Sequence, residues 1–158
     1  MRSLTEATLY PGIGMLEYTN ISVGRGTDTP FEVVGAPWID GRRLAEYLNQ
    51  RNISGVRFVP IRFKPNASNF KDEEIGGINL VITDRKVFRP VRTGLEIALA
   101  FRRLYPNDWK TDRLNRLVVN DRVFNLIMQN AAIEEIERAA QTDLAAFSQR
   151  RAQFLLYK

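Results

Sequence analysis

Asp40-Gly41-Arg42-Arg43-Leu44-Ala45-Glu46-Tyr47-Leu48-Asn49-Gln50, continuing through Asn52-Ile53-Ser54-Gly55 into Val56-Arg57-Phe58-Val59-Pro60-Ile61-Arg62-Phe63, changes its hydrophobic period halfway along. Asp40 has a short side-chain acceptor suited to the orphan amides of a helix start. Leu44, Ala45 and Leu48 then form one apolar stripe, which predicts a helix over 41–50. The Asn-Ile-Ser-Gly segment turns the chain. Beyond it Val59, Ile61 and Phe63 alternate, which predicts a strand over 56–63 with these three on one face. Pro60 has no amide hydrogen to give a ladder, so this strand is expected at a sheet edge or bulged there.

The same reading extends outward in both directions. A polar loop over 64–75 holds Pro65, Asn66, Ser68, Asn69 and the acidic trio Asp72-Glu73-Glu74. A second strand is predicted over 77–83 with Ile78, Leu80 and Ile82 facing one way, and Phe31 to Val34 supply a third. Pro90 and Thr93 precede a helical run over 94–104 that stops before Pro106. From about residue 112 the chain reads as helices: 119–128, then 131–140 after a turn at Gln129-Asn130, then about 141–153. Leu144, Phe147, Arg151 and Phe154 recur at helical spacing in the last of these, and Leu155-Leu156-Tyr157 is expected to dock back on the body. The fold class is therefore α+β, or mixed α/β: a small sheet of about three or more strands covered by helices, with a helical C-terminal third.

Composition fits one domain over residues 1–158. The chain is 44% hydrophobic and 26% charged, enough to bury a core. No apolar run approaches the roughly 20 residues a membrane helix needs, so no membrane is expected as a partner. Met1-Arg2-Ser3-Leu4-Thr5-Glu6 leads into no apolar core of a signal peptide. With no cysteine and no histidine, disulfides, thiolate or imidazole metal sites, and serine–histidine or cysteine–histidine catalysis within this chain are all excluded. The acidic trio has too few oxygen ligands at regular spacing for calcium, and no metal or cofactor is expected. The net charge of +5 is concentrated between Arg85 and Arg116, where nine basic residues stand against three acids. No nucleic-acid motif or interleaved aromatic accompanies them, so the stretch reads as a solvated surface and not as a nucleic-acid site.

The chemistry-bearing segment is Leu9-Tyr10-Pro11-Gly12-Ile13-Gly14 through Ser22-Val23-Gly24-Arg25-Gly26-Thr27. Its clustered glycines suggest tight turns or close approach to a ligand. Backbone amides around one planar guanidinium suit an anion or a polyhydroxylated ligand; the alternative is an ordinary loop with a solvated arginine. Tyr10 before Pro11 reads as an extended dipeptide. Trp38, between Pro37 and Ile39, reads as core in preference to a sugar-stacking platform.

Longer strings in the chain resemble one family. Leu9 to Asn20, Ser22 to Thr27 and Phe31 to Ile39 are similar to the C-terminal half of the exo-β-N-acetylmuramidases, NamZ-like glycoside hydrolases that were formerly an uncharacterised bacterial family. The similarity continues through Val56 to Phe63, Gly76-Gly77, Val81 to Arg85, Arg103 to Pro106, Asp143 to Phe147 and Leu155 to Tyr157. Tyr18 stands where a small residue is usual, Ala140 near a frequent tryptophan, and Asn130 where glycine is common. The resemblance implies an upstream Rossmann-like domain that carries the catalytic acid/base, with this chain as one wall of the cleft between domains. That upstream domain would be the chain's partner, and the isolated chain is expected to show little or no activity. Glycosidic hydrolysis uses two carboxyl groups, and none is expected to be catalytic here; Glu17 is the one weak candidate.

The resemblance also gives the 17–27 segment a ligand, a muramyl sugar or peptidoglycan fragment. Glu17 would accept hydrogen bonds from sugar hydroxyls or else cap a local turn. Asn20 would bind an acetamido group or satisfy nearby backbone, and Ser22 and Thr27 would line the same wall. Arg25 would take the lactyl carboxylate of N-acetylmuramic acid, or else pair with Asp28 or another internal carboxylate. Two other readings compete with the cleft wall: a non-catalytic carbohydrate-binding module, and an interaction domain using the 85–116 stretch. A periplasmic or extracellular setting is expected for the full-length protein. Weak self-association is expected of a piece that normally faces another domain.

Overall fold

The computed structural model describes residues 2–157. Three antiparallel strands form the sheet: β1 (Val33–Ala36), β2 (Val56–Phe63) and β3 (Ile75–Ile82), in the order β1-β3-β2. The β2–β3 ladder runs from Val56 opposite Ile82 to Phe63 opposite Ile75, so the 64–74 loop closes a long hairpin. β2 is an edge strand, as Pro60 requires. Val59, Ile61 and Phe63 do share a face, but it is the open one. The core face of β2 is Val56 and Phe58, and on β3 it is Ile78 and Leu80.

Helices cover that inner face. α1 (Leu4–Ile13) precedes β1, and α2 (Gly41–Gln50) joins β1 to β2. Asp40 Oδ1 accepts from the amides of Arg42 and Arg43 at 2.9 and 3.1 Å, which is the N-cap its side chain foretold. α3 (Pro90–Leu104) starts with proline at its first turn, where a missing amide hydrogen costs nothing. Residues 93–101 of α3 are all buried, which makes it the central helix, packed on α1 and α2. Leu9, Ile13, Leu44, Leu48, Ile97 and Phe101 close the core around it.

The C-terminal third is helical, with two changes from expectation. α4 (Asn115–Val118) is a single turn, and α5 (Asp121–Met128) is capped by Asn120, whose side chain accepts from the Val123 amide at 3.0 Å. Asn130 adopts φ 54° at the turn, the left-handed conformation asparagine tolerates. The two predicted helices 131–140 and 141–153 are one continuous helix, α6 (Ile133–Ala152). Nothing in Ala140-Gln141-Thr142-Asp143 breaks a helix, so the backbone ladder runs through. Only the first half of α6 packs, through Ile133, Ile136 and Ala139. Leu144 and Phe147 are exposed, and so are Phe154, Leu155, Leu156 and Tyr157: the tail does not dock back on the body.

Candidate functional site

The glycine-rich segment divides into two unlike parts. Leu9 to Ile13 is the last stretch of α1, followed by a 3-10 turn over Gly14–Leu16, so Tyr10-Pro11 is helical and not extended. The prolyl ring is tolerated near the helix end because the lost hydrogen bond is a single one, and packing on α3 fixes the rest. The true loop begins after Tyr18. Gly24 and Gly26 adopt φ 81° and 82°, a left-handed conformation that glycine takes without strain.

Glu17 and Arg25 meet across this loop. Arg25 Nε donates to one carboxylate oxygen of Glu17, and Nη2 donates to the other at 3.2 Å. The internal carboxylate is thus Glu17 and not Asp28. Glu17 holds the Arg25 guanidinium above its ordinary pKa, first by that hydrogen bond and then by charge, while desolvation opposes it. The Arg25 side chain stays 48% exposed and lies over the Phe31 ring at 5.1 Å, with Tyr10 edge-on to Phe31 at 4.9 Å. Phe31 itself has φ 66°, an uncommon state for a bulky residue, held here by the bond from its amide to the Val23 carbonyl.

The other predicted site residues have their polar groups engaged within the fold. Ser22 is buried, and its hydroxyl accepts from the Gly24 amide. Thr27 donates to the Gly24 carbonyl at 2.7 Å. Asn20 donates to the Asp108 carbonyl at 2.8 Å and accepts from the Lys110 amide at 2.7 Å. It therefore clamps the 17–27 segment to the 105–113 loop. Asn69 does the same for the 64–74 loop, donating to the Ile21 carbonyl at 2.8 Å. Asn20→Ala is expected to lower stability by about 1–2 kcal/mol with no ligand present, since it strips partners from two backbone groups. Urea unfolding measures this, and an unchanged midpoint would mean the clamp carries no load.

These three loops enclose a depression of about 330 Å³ lined by Tyr18, Thr19, Asn20, Asn69, Phe70, Lys110, Asp112 and Arg113. Its walls are firmly held. Tyr105, Trp109 and Leu114 anchor the 105–113 side in the core, and Trp109 packs on Phe101 at 5.6 Å. On the other side Ser68, Phe70 and Asp72 all have positive φ, 67°, 60° and 63°. Such a conformation costs a non-glycine residue roughly 1–2 kcal/mol. It persists because Asn66 donates to Gly26 and Asp72 to Pro65 across the loop. Sequence reading missed Lys110 and Arg113, which it assigned to a solvated surface. The signal that marks them is their place between core anchors Tyr105, Trp109 and Leu114.

Trp38 packs against Phe101 and Tyr105 at 6.0 and 5.2 Å, as a partly buried flank of the core. Most of the basic stretch is structural or peripheral. Arg92 pairs with Glu134 and Glu137, and Arg102 donates to the Met128 carbonyl. Among the described residues no cluster of three metal-ligating side chains forms, and no helix is long and apolar enough to cross a membrane.

A small antiparallel sheet under a central helix is a fold this chain shares with solved bacterial proteins. Two structures of DUF1343 family proteins from Bacteroides fragilis NCTC 9343 superpose with TM-scores of 0.80 and 0.70. Each is 24% identical; they cover 96% and 99% of this chain, which in turn covers 42% of each of those chains. The chain belongs to the family described as exo-beta-N-acetylmuramidase NamZ, C-terminal, which its residues 8–157 match. It is 35% identical, over 99% of its length, to the peptidoglycan beta-N-acetylmuramidase NamZ of Bacillus subtilis (strain 168). It spans 39% of the length of that enzyme.

Proposed function

We propose that this chain is the substrate-binding, C-terminal part of a peptidoglycan-recycling exo-β-N-acetylmuramidase, and that its 17–27 face forms one wall of a cleft shared with an upstream Rossmann-like domain. The observation that carries this reading is the Glu17–Arg25 pair, half exposed on a loop whose other polar groups are tied into the frame. Binding walls are built this way: rigid loops present a few outward donors and acceptors. Arg25 and Glu17 offer a donor–acceptor couple to the hydroxyl or acetamido groups of a non-reducing-end N-acetylmuramic acid. Asn20, Ser22 and Thr27 contribute by holding that couple in place.

Hydrolysis calls for two carboxyl groups placed across the scissile bond. Both oxygens of Glu17 are engaged by Arg25, which leaves it poorly suited to deliver a proton, and this supports acid/base chemistry in the partner domain. A chromogenic β-glycoside of N-acetylmuramic acid tests the reading, supplied to this chain alone and to the chain joined to an upstream domain. Turnover is expected only in the longer protein. There Arg25→Ala is expected to lower kcat/KM by roughly 10–100-fold, the worth of one charge-assisted contact. Turnover in neither protein would refute the muramidase reading and favour a carbohydrate-binding module.

A further inference from the structure

We infer that the depression between Tyr18, Asn69, Lys110 and Arg113 is an anion subsite, and that it, in place of Arg25, receives the lactyl carboxylate of a muramyl sugar. The inference rests on the muramyl-binding function proposed above and deepens it. Charge is the first reason. Arg25 already spends its Nε/Nη2 edge on Glu17, so a ligand carboxylate there meets a guanidinium whose charge is balanced by an internal carboxylate. The depression holds two cations, Lys110 and Arg113, against the single acid Asp112. Among the described residues none of the three takes part in an ion pair. A net positive concavity with unspent donors is where an added carboxylate gains most.

Shape is the second reason. The volume of about 330 Å³ lies at the lower end of small-ligand sites, the scale of one sugar ring or its substituent. Tyr18 is 47% exposed, and the Arg113 guanidinium carbon lies 5.5 Å from its ring centroid. That cation–π contact holds the guanidinium beside the ring while leaving its donors open for a bidentate carboxylate. Position is the third. Tyr18 and Asn20, which line the depression, lie on the same 17–27 segment that carries the Glu17–Arg25 pair, so both features belong to the face proposed as the cleft wall. Asn20 and Asn69 pin all three walls, so little ordering remains to be done on binding.

The test uses amide-resolved NMR titrations of this chain with N-acetylmuramic acid and with N-acetylglucosamine, which lacks the lactyl group. The acid is expected to bind about tenfold more tightly and to shift amides of Tyr18, Asn69, Lys110 and Arg113. Arg113→Gln is expected to abolish that preference while leaving N-acetylglucosamine affinity unchanged, and Lys110→Gln to reduce it several-fold. Arg25→Gln should weaken both sugars alike. Because Arg113 and Lys110 are exposed, the same spectra report that each variant is folded. If the preference survives both substitutions and disappears in Arg25→Gln, the carboxylate sits on Arg25: the inference fails and the proposed function stands. If the wild-type chain shows no preference for the acid, or binds neither sugar, the inference fails, and the proposed function is decided by turnover in the longer protein.

Discussion

Gly94→Ala is expected to destabilise the domain by about 2 kcal/mol, against the sign that helix propensity gives. In a solvated helix the change would stabilise by about 1 kcal/mol, because alanine loses less backbone entropy. Here Gly94 faces Gly12 where α3 crosses α1. A β-carbon on Gly94 would stand 2.7 Å from the Gly12 carbonyl carbon and 2.8 Å from its α-carbon. One on Gly12 would run into the Pro90 carbonyl. Neither neighbour is a side chain that can swing aside; both are helix backbone. Overpacking of this kind costs about 1–3 kcal/mol and sometimes more, which outweighs the propensity gain. Gly12→Ala should cost as much, and the double variant less than the sum, since the first substitution already parts the helices. Urea denaturation of the three variants measures this. A stabilised Gly94→Ala would mean the crossing is looser than the structure has it.

Phe101→Ala should cost about 3–5 kcal/mol, a large share of the 5–15 kcal/mol that holds a domain together. Phe101 is fully buried, with ring centroids of Trp38, Tyr105 and Trp109 at 6.0, 6.5 and 5.6 Å. Its removal leaves a cavity among three large rings that cannot collapse onto it without moving the backbone. The consequence reaches the loop face. Trp109 and Tyr105 anchor the segment that carries Lys110 and Arg113, so muramyl-sugar affinity should fall in Phe101→Ala although Phe101 touches no ligand. Near-UV circular dichroism should lose tryptophan signal together with the drop in denaturation midpoint. Leu156→Ala serves as the contrast: at 92% exposure it should change stability by less than about 0.5 kcal/mol. Equal effects at the two positions would overturn this account of the core.

Some of this was legible in the chain and some was not, and the division has a physical basis. The helix at 41–50 and the strand at 56–63 were readable because their signals are local: a capping aspartate, a 3.6-residue stripe, an alternation, a proline at an edge. The family was readable because its motifs are long and irregular. The shared face of Val59, Ile61 and Phe63 on β2 was readable, but alternation says only which residues share a side, not which side the helices cover. The division of the last helix failed for want of a breaker, and the tail was given a dock that its neighbours do not supply. Residues 9–14 were taken for a loop because glycine and proline usually punctuate. In this fold Gly12 serves a helix crossing with Gly94, a contact between residues far apart in the chain.

By itself, then, the sequence determined the strands, the helix at 41–50, the helical C-terminal third, the family, and the presence of Glu17 and Arg25 in one segment. Tertiary structure alone decided that these two pair with each other, that Asn20 and Asn69 serve as clamps, and that Lys110 and Arg113 border the same surface. Those outcomes depend on loops 17–27, 64–74 and 105–113 meeting in space. Loop closure of that length is set by the core that anchors the loops, through Ile21, Trp109 and Leu114, and not by any preference written in the loops themselves.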